Sequence, residues 1–151
     1  MVNGAMEDSA HLHVAGMVVQ AITGVRATSC KSKKSVAGFN LREGKYISVK
    51  AEVAGEAMYH FLSRLVDVVL PKIKDWKGAK GSSGDSSGNI AFGLTPEAVG
   101  LFPEVEVNYD MYPPKMIPGC HITVHTSATN DSDARLLLNA IGIPFFGKRV
   151  D

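Results

Sequence analysis

Two histidines and a neighbouring cysteine come closest to the pattern of a metal site in this chain. His121 and His125 are four positions apart, so on a strand their side chains lie on the same face, and Cys120 precedes the first of them. A zinc site needs one or two further ligands at suitable geometry. The other candidates belong to other predicted elements: His11, His13 and Cys30. A small metal-dependent enzyme is therefore an alternative interpretation, and we assign no metal ligand.

A Gly/Ser-rich loop over residues 78–89 is the next place where the residue types suggest chemistry. Gly81-Ser82-Ser83-Gly84-Asp85 has Asp85 where the nucleophile elbow of hydrolases needs glycine, and the chain has no Gly-x-x-x-x-Gly-Lys-Ser/Thr motif. Bare amides in such a loop can bind an anion, although a flexible linker is the favoured interpretation. We expect a flexible loop that a partner orders. We assign no catalytic residue and no cofactor, because motifs typical of enzymes are scarce in the chain.

Residues 95–118 form an acidic segment that is rich in proline. The segment contains one basic residue, Lys115, and four acidic residues: Glu97, Glu104, Glu106 and Asp110. Glu104 and Glu106 have the spacing of two side chains on one face of a strand, and such a pair can do acid–base work. A solvated face, or a face that meets a basic protein, is the more common meaning of this pattern.

Positive charge is concentrated between Arg26 and Lys50. This window has a net charge of +6, although the whole chain carries only +1. Its charged side chains are Arg26, Lys31, Lys33, Lys34, Arg42, Glu43, Lys45 and Lys50. Charge segregated in this way indicates a polyanionic partner, because each phosphate that a lysine neutralises releases counterions. The alternative is an ordinary solvated lysine loop.

The order of residues in this basic loop, residues 30–46, favours RNA. Gly38 permits close backbone approach, and Phe39 offers a ring that can stack on a base. A second group of lysines follows the helix that Pro71 is expected to end or kink. The predicted tRNA or RNA contacts are Lys31, Lys33, Lys34, Ser35, Gly38, Phe39, Arg42 and Lys45 in the loop, and Lys72, Lys74, Lys77 and Lys80 in the second group.

The bulk composition predicts one soluble domain spanning residues 1–151. A chain of this length buries roughly two-thirds of its unfolded surface. No apolar run approaches the ~20 residues of a membrane span, and no secretory leader is visible, so we expect no membrane partner. Two cysteines are too few for a disulfide framework and suit a reducing compartment.

Hydrophobic periodicity predicts interleaved helices and strands. Helical spacing marks residues 9–23, residues from Glu56 to Pro71, and a last helix that begins at Thr129 or Asn130 and ends at Gly142. Strands are predicted over residues 25–29, 47–53, 90–94 and 121–127, whereas 96–118 is predicted to be irregular. The simplest arrangement is a two-layer α+β domain, with helices packed on one face of a mainly antiparallel sheet.

Several collinear motifs resemble one family. The basic loop reads Lys31-x-Lys33-Lys34-Ser35-Val36-Ala37-Gly38-Phe39-x-x-Arg42-x-Gly44, and further motifs are Gly55-Glu56-x-Met58, Pro71-x-Ile73-x-Asp75, Gly88-Asn89, Phe102-Pro103-Glu104, Asp133-x-Arg135 and Pro144-Phe145. Together they cover most of residues 20–146. The chain thus resembles large-subunit ribosomal protein five, the bacterial-type family that binds 5S rRNA.

The resemblance implies a structural protein at the central protuberance of the large ribosomal subunit. The implied partners are large-subunit rRNA, 5S rRNA and neighbouring large-subunit proteins. The family's basic loop, matched by Ser35 to Lys45, reaches the peptidyl-site tRNA. The segment matched by Glu97 to Asp110 meets a basic small-subunit protein in an intersubunit bridge, so Glu97, Glu104, Glu106 and Asp110 are the implied bridge residues. No catalysis is expected.

Departures from the family pattern point to a mitochondrial member. Ala54 and Ala57 stand where bacterial members usually have arginine, and Asp85-Ser86-Ser87-Gly88 replaces a loop that normally carries arginine. The family's N-terminal helix and first strand have no counterpart before the first predicted helix, so we expect an N-terminally incomplete chain. The expected location is the mitochondrial ribosome, with a bacterial cytoplasm as the alternative. A free-standing RNA- or tRNA-binding module is the alternative function.

Overall fold

Helices and strands interleave along the chain, as the periodicity predicts. The computed structural model describes residues 2–3, 9–113 and 115–147. The helices are α1 (Ser9–Thr23), α2 (Glu56–Arg64), α3 (Leu70–Lys72), α4 (Pro96–Val99), α5 (Pro103–Glu106) and α6 (Asp131–Ile141). The strands are β1 (Val2–Asn3), β2 (Thr28–Lys31), β3 (Tyr46–Lys50), β4 (Ala79–Lys80), β5 (Ile90–Leu94), β6 (Cys120–Val124) and β7 (Phe145–Phe146).

The described strands pair in three separate pieces. Antiparallel pairing gives the order β1-β3-β2 in one piece and joins β5 to β6 in another, whereas β4 and β7 are parallel. The predicted α+β class is confirmed. The single sheet predicted from the sequence is divided, because several strands have only two residues and cannot extend a ladder.

Helix α1 lies between two hydrophobic clusters. Val14, Val18 and Ile22 pack into the main core with residues of α2, β5 and α6, while Ala15 and Val19 pack against Val49 of β3. Apolar side chains therefore cover more than one face of this helix, which explains why its sequence is apolar nearly all round. The helix stops at Gly24, whose amide donates to the Gln20 carbonyl oxygen at 2.9 Å and whose φ is 68°.

The long second helix widens before Pro71. After α2, residues Leu65–Val69 form a π-helical turn, and α3 then ends at Lys72. Proline cannot donate a backbone hydrogen bond, and its ring excludes the carbonyl four residues earlier, so the chain relaxes into a wider turn. Helical backbone continues through Pro71 and ends one residue later, at Lys72, so the predicted end lies within one residue of the observed one. No helix within the described ranges is long and apolar enough to cross a membrane.

The acidic segment departs from the prediction. Residues 96–118 were expected to be irregular, but Pro96 and Pro103 each open a short helix, α4 and α5, and Tyr109–Met111 form a 3₁₀ turn. Proline is favoured in the first helical turn, and the Thr95 side chain accepts from the Ala98 amide at 3.3 Å. Two of the prolines that suggested irregular structure, Pro96 and Pro103, are therefore helix starts.

Candidate nucleic-acid interface

The basic loop is a hydrogen-bonded hairpin. Strands β2 and β3 pair antiparallel from Thr28 opposite Lys50 to Lys31 opposite Tyr46, with an irregularity after Cys30. Beyond the strands, the Ser32 amide donates to the Lys45 carbonyl oxygen at 2.8 Å. The loop of residues 30–46 thus continues the ladder outward and projects as one basic hairpin, the name used below for residues 28–50.

The tip of the basic hairpin is closed on itself. The amides of Val36 and Leu41 each donate to the other's carbonyl oxygen, at 2.9 and 3.1 Å. Between them Ala37–Phe39 form a 3₁₀ turn, and Asn40 adopts the left-handed conformation with a φ of 50°. The Ser35 hydroxyl donates to the Leu41 carbonyl oxygen at 3.0 Å. These bonds present the Phe39 ring outward, where 67% of the residue is exposed.

The positive charges of the basic hairpin face solvent. All eight predicted contact residues of the loop are exposed: Lys31, Lys33, Lys34, Ser35, Gly38, Phe39, Arg42 and Lys45. Within the described ranges Lys33, Lys34 and Arg42 form no ion pair with an acidic side chain. Their charge is therefore available to a polyanion.

Tyr46 is a member of this surface that the sequence reading missed. The Lys31 ammonium lies 5.0 Å from the centroid of the Tyr46 ring, and Tyr46 as a whole is 47% exposed. A cation over an aromatic face is held by the quadrupole of the ring. One sequence feature could have identified it: Tyr46 is an aromatic residue at the end of the basic run, directly after Lys45.

The base of the basic hairpin is anchored in the fold. Val49 is 2% exposed and packs against Ala15 and Val19 of α1, and Ser48 beside it is buried; Ser32, which lies beyond the strands, is buried as well. The Ser32 hydroxyl donates to the Lys34 carbonyl oxygen at 2.7 Å. A buried base and an exposed tip make the hairpin a supported projection, which lowers the entropic cost of ordering it on a ligand.

The second lysine group is also exposed. Lys72, Lys74, Lys77 and Lys80 all face solvent, from the end of α3 to β4. The Lys72 ammonium lies 3.2 Å from a Glu106 carboxylate oxygen, so this lysine contacts the acidic segment. The two predicted surfaces, RNA-facing and protein-facing, therefore meet at one ion pair. It is exposed on both sides and contributes little to stability.

The acidic segment separates its two neighbouring glutamates. The expectation that Glu104 and Glu106 share one face of a strand is wrong, because Pro103 starts a helix there and residues two apart on a helix do not face each other. Glu104 is paired with Arg64 and Glu106 with Lys72. Glu97 and Asp110 are exposed. The bridge role assigned to these four residues stays a prediction.

Two apolar side chains lie beside the acidic residues in the middle of this segment. Val107 is 83% exposed and Met111 is 82% exposed, and they flank the exposed Asp110. Large apolar side chains exposed together mark contact surfaces more often than single ones do. The sequence analysis selected the acidic residues of this surface by their charge. It did not select Val107 and Met111, because they are not part of a periodic apolar pattern.

The Gly/Ser loop has hydrogen-bond partners within the chain. The Asp131 carboxylate accepts from the amides of Ser86 and Gly88 at 2.9 and 3.0 Å. A side chain at Gly88 would collide with the Ala128 carbonyl oxygen, and its φ of 88° also favours glycine. The flexibility predicted for residues 78–89 stays a prediction, but the loop does carry structure of its own.

Asp85 closes a turn inside this loop. Its carboxylate accepts from the Asn89 side-chain amide at 2.6 Å and from the backbone amides of Ser87 and Asn89. The Asn89 side chain and these amides lower the pKa of Asp85 below its ordinary value. The loop therefore carries a negative charge at Asp85 at neutral pH.

The histidine–cysteine group does not form a cluster of ligands. His121 and His125 are exposed, and the described residues contain no group of three or more His, Cys, Asp or Glu side chains that could hold a metal ion. Cys120 packs between the two hydrophobic clusters, and burial raises the pKa of its thiol to about 11. A thiol held protonated is a poor nucleophile.

Two family models match the chain over nearly its whole length. One, described as ribosomal protein L5, matches residues 1–42, and a model of the C-terminal part of the ribosomal L5 family matches residues 46–145. The boundary between the two matches falls inside the basic hairpin. Both halves of the chain, including the tip of the hairpin, thus have counterparts in the same family.

Curated proteins from fungi and bacteria are similar to this chain. Large ribosomal subunit protein uL5m of Neurospora crassa is 52% identical over 135 residues, which is 89% of this chain and 38% of that protein. The uL5m of Schizosaccharomyces pombe is 38% identical over 93% of this chain and 48% of its own length. The uL5 of Borreliella burgdorferi is 39% identical over 95% of this chain and 72% of its own length. The chain therefore spans less than half of either fungal relative.

Proposed function

We propose, on the premise that this chain belongs to the ribosomal protein L5 family, that it works at the central protuberance of the large subunit of the mitochondrial ribosome. Family membership confirms the resemblance read from the motifs. Members of the family are structural proteins of the large ribosomal subunit and not enzymes. The two fungal relatives, both designated uL5m, confirm the mitochondrial location.

In this proposal the basic hairpin contacts the peptidyl-site tRNA. The observation that carries it is the exposed tip, where Phe39 stands beside the cations Lys33, Lys34 and Arg42 on a loop closed by its own hydrogen bonds. Lysines and arginine position a phosphate backbone, and an exposed ring stacks on a base or ribose. A projection with a buried base reaches an RNA that the body of the protein does not touch.

The second lysine group contacts large-subunit rRNA in the same proposal. Lys74, Lys77 and Lys80 are exposed and form no ion pair with a described acidic side chain. Bacterial-type members usually carry arginine where this chain has Ala54 and Ala57, and Asp85 adds negative charge to the Gly/Ser loop. We therefore assign the main contact to large-subunit rRNA and a smaller one to 5S rRNA.

The acidic segment binds a basic small-subunit protein in this proposal. Four side chains in the middle of the segment are exposed: Glu106, Val107, Asp110 and Met111. Opposite charge steers the encounter of two surfaces, and desolvated apolar side chains hold the contact. Neighbouring large-subunit proteins complete the set of partners.

Sedimentation of the tagged native protein through a sucrose gradient tests this function. We expect the protein in the mitochondrial large-subunit and monosome fractions at moderate salt, together with large-subunit rRNA in the extracted RNA. Sequencing of that RNA measures the share of 5S rRNA. Protein that stays at the top of the gradient while still bound to tRNA would overturn the ribosomal assignment and favour the free-standing module.

A further inference from the structure

A cleft of about 690 Å³ opens beside the short parallel strand pair. Lys80 and Phe146 are register partners in β4 and β7, and both are exposed. Their predecessors Ala79 and Phe145 pack towards the core, so the Lys80 and Phe146 side chains lie on the opposite face of the pair. This volume is within the ~300–1,000 Å³ range of small-molecule sites.

Small residues of the neighbouring strand pair leave room in the cleft. Ala91 and Gly93 are exposed on β5, and Gly93 is the register partner of His121 on β6. All three line the cleft. A larger side chain at either β5 position would fill the space above the strands, so the concave shape follows from these two residue types.

The rim of the cleft is held by hydrogen bonds. The Gly81 amide donates to the Phe146 carbonyl oxygen at 2.7 Å, and the Ser83 amide donates to the Lys80 carbonyl oxygen at 3.0 Å. The Ser83 hydroxyl donates to the Ala91 carbonyl oxygen. The start of the Gly/Ser loop is therefore tied to both strand pairs, and the cleft is preformed.

The side chains that line the cleft are cationic and aromatic. Lys77 and Lys80 line it together with Trp76 and Phe146, and among the residues that the structure describes no carboxylate lines it. Neither lysine is ion-paired to an acidic side chain in the described ranges. Ammonium groups bind phosphate, and aromatic faces stack on a base. A free phosphate would not interact favourably with the aromatic rings, and an apolar ligand would leave the cations without a partner. A nucleotide, which has both a phosphate and a base, can contact both kinds of side chain.

We infer that this cleft binds one unpaired nucleotide of single-stranded RNA, with its base against Trp76 and Phe146 and its phosphate at Lys77 and Lys80. The inference rests on the proposed rRNA-binding function and adds to it a place where one splayed-out base is received. It is independent of the basic hairpin, because none of the residues that line the cleft belongs to residues 28–50.

Fluorescence of Trp76 tests the ligand class directly, because it is the single tryptophan of the chain. Oligouridylate of eight nucleotides should quench this fluorescence, since a stacked base quenches indole emission. Tripolyphosphate, an anion without a base, should not quench it at matched ionic strength. Quenching by tripolyphosphate equal to that by the RNA would overturn the nucleotide assignment. Free UMP that quenches at the same concentration as the RNA would overturn the assignment to an RNA segment.

Variants test the two parts of the site separately by fluorescence anisotropy with labelled oligouridylate. Phe146→Leu keeps an apolar side chain but removes the ring, and we expect about tenfold weaker binding, the order of loss for one base–aromatic stack. Lys77→Gln with Lys80→Gln should lower the slope of log K against log salt by about 0.7, the value for the one phosphate that both lysines contact. The control, Lys115→Gln, removes an exposed positive charge that lies outside both the cleft and the basic hairpin.

Comparison with the basic hairpin separates this inference from the proposed function. If the cleft variants bind oligouridylate like the unaltered chain while the gradient still places the protein in ribosomes, the cleft assignment is wrong and the ribosomal function stands. If the cleft variants lose binding and the control does not, the cleft is the nucleotide site. A thermal melt of each variant excludes unfolding as the cause, and an unfolded Phe146→Leu is replaced by Phe146→Met.

Discussion

Arg64 and Glu104 form an ion pair that joins α2 to α5. The same guanidinium donates to the Ile22 carbonyl oxygen at 3.2 Å, near the end of α1, and to the His60 carbonyl oxygen at 3.2 Å. One arginine therefore ties three helices together. The charge pattern placed Glu104 on a binding surface, but in the structure its carboxylate is paired with an arginine of the same chain.

Glu104→Gln should lower the free energy of unfolding by about 1–2 kcal/mol. The two side chains are 32% and 27% exposed, so the loss is smaller than for a fully buried pair but larger than for a surface pair. Urea denaturation measures it. Glu97→Gln removes an exposed carboxylate of the same segment and is the control. A difference of less than about 0.5 kcal/mol between the two variants would contradict the structural role of the pair.

The sequence predicted those elements whose side chains repeat with a clear period. Residues 9–23 and 90–94 fold as expected, because their apolar residues recur at helical spacing and alternate at strand spacing. Strands β4 and β7, which pair with each other, have two residues each, too few to show any period. Their pairing depends on close approach of Gly78 to the Pro144 carbonyl oxygen, a tertiary contact that local pattern does not encode.

The candidate site was predictable where it is local in sequence. The basic hairpin is one continuous run, so its charge and its exposed Phe39 could be read directly. The cleft was not, because Trp76, Phe146 and His121 come from distant parts of the chain and meet only through strand pairing. The partners of Glu104 and Glu106 were hidden for the same reason: they lie in α2 and α3.

Asp131→Asn should loosen the Gly/Ser loop without unfolding the protein. The carboxylate accepts from the Ser86 and Gly88 amides, and an amide side chain replaces one accepting oxygen by a donor. Hydrogen exchange at these two amides should accelerate by about tenfold, which corresponds to ~1.4 kcal/mol. Asp133→Asn is the control, because it changes the same helix turn without touching the loop. Equal exchange rates in both variants would argue against the anchor.

Stability should fall in alkali because of Cys120. Its folded pKa of about 11 lies above the ordinary value near 9, so the stabilising contribution is complete below about pH 9 and is lost as pH rises towards 11. The raised pKa corresponds to about 2–3 kcal/mol. Urea denaturation at several pH values from about 8.5 to about 10.5 covers most of this range. The free energy of unfolding should fall more steeply with pH for the unaltered chain than for Cys120→Ala. Parallel curves would contradict burial of the thiol, and Cys30→Ala serves as the control.

The bridge proposal is tested with the exposed residues of the acidic segment and not with Glu104. Charge reversal at Glu106 and Asp110 should slow the joining of ribosomal subunits, because both carboxylates are exposed and an opposing basic surface would then be repelled. Light scattering of purified subunits measures the rate. Loss of the exposed Lys72–Glu106 pair costs little stability, so the variant should melt within a few degrees of the unaltered chain. Unchanged joining with an intact fold would remove the bridge.

Charge reversal at the tip of the basic hairpin should abolish tRNA contact and spare the fold. Lys33→Glu, Lys34→Glu and Arg42→Glu change three exposed side chains that form no ion pair within the described part of the chain, so no buried partner is lost. Each lost phosphate contact weakens binding and lowers its salt dependence, and three together should reduce affinity for tRNA at low salt by at least about a hundredfold.

Filter binding at several salt concentrations and a thermal melt measure the two effects. Lys115→Glu, an exposed reversal far along the chain, gives the effect of net charge alone. A separate variant, Phe39→Ala, removes the ring and keeps every cation, so it should weaken binding about equally at low and high salt. If the triple variant unfolds, the cations stabilise the hairpin itself; if it folds and binds tRNA normally, the tRNA contact lies elsewhere on the protein.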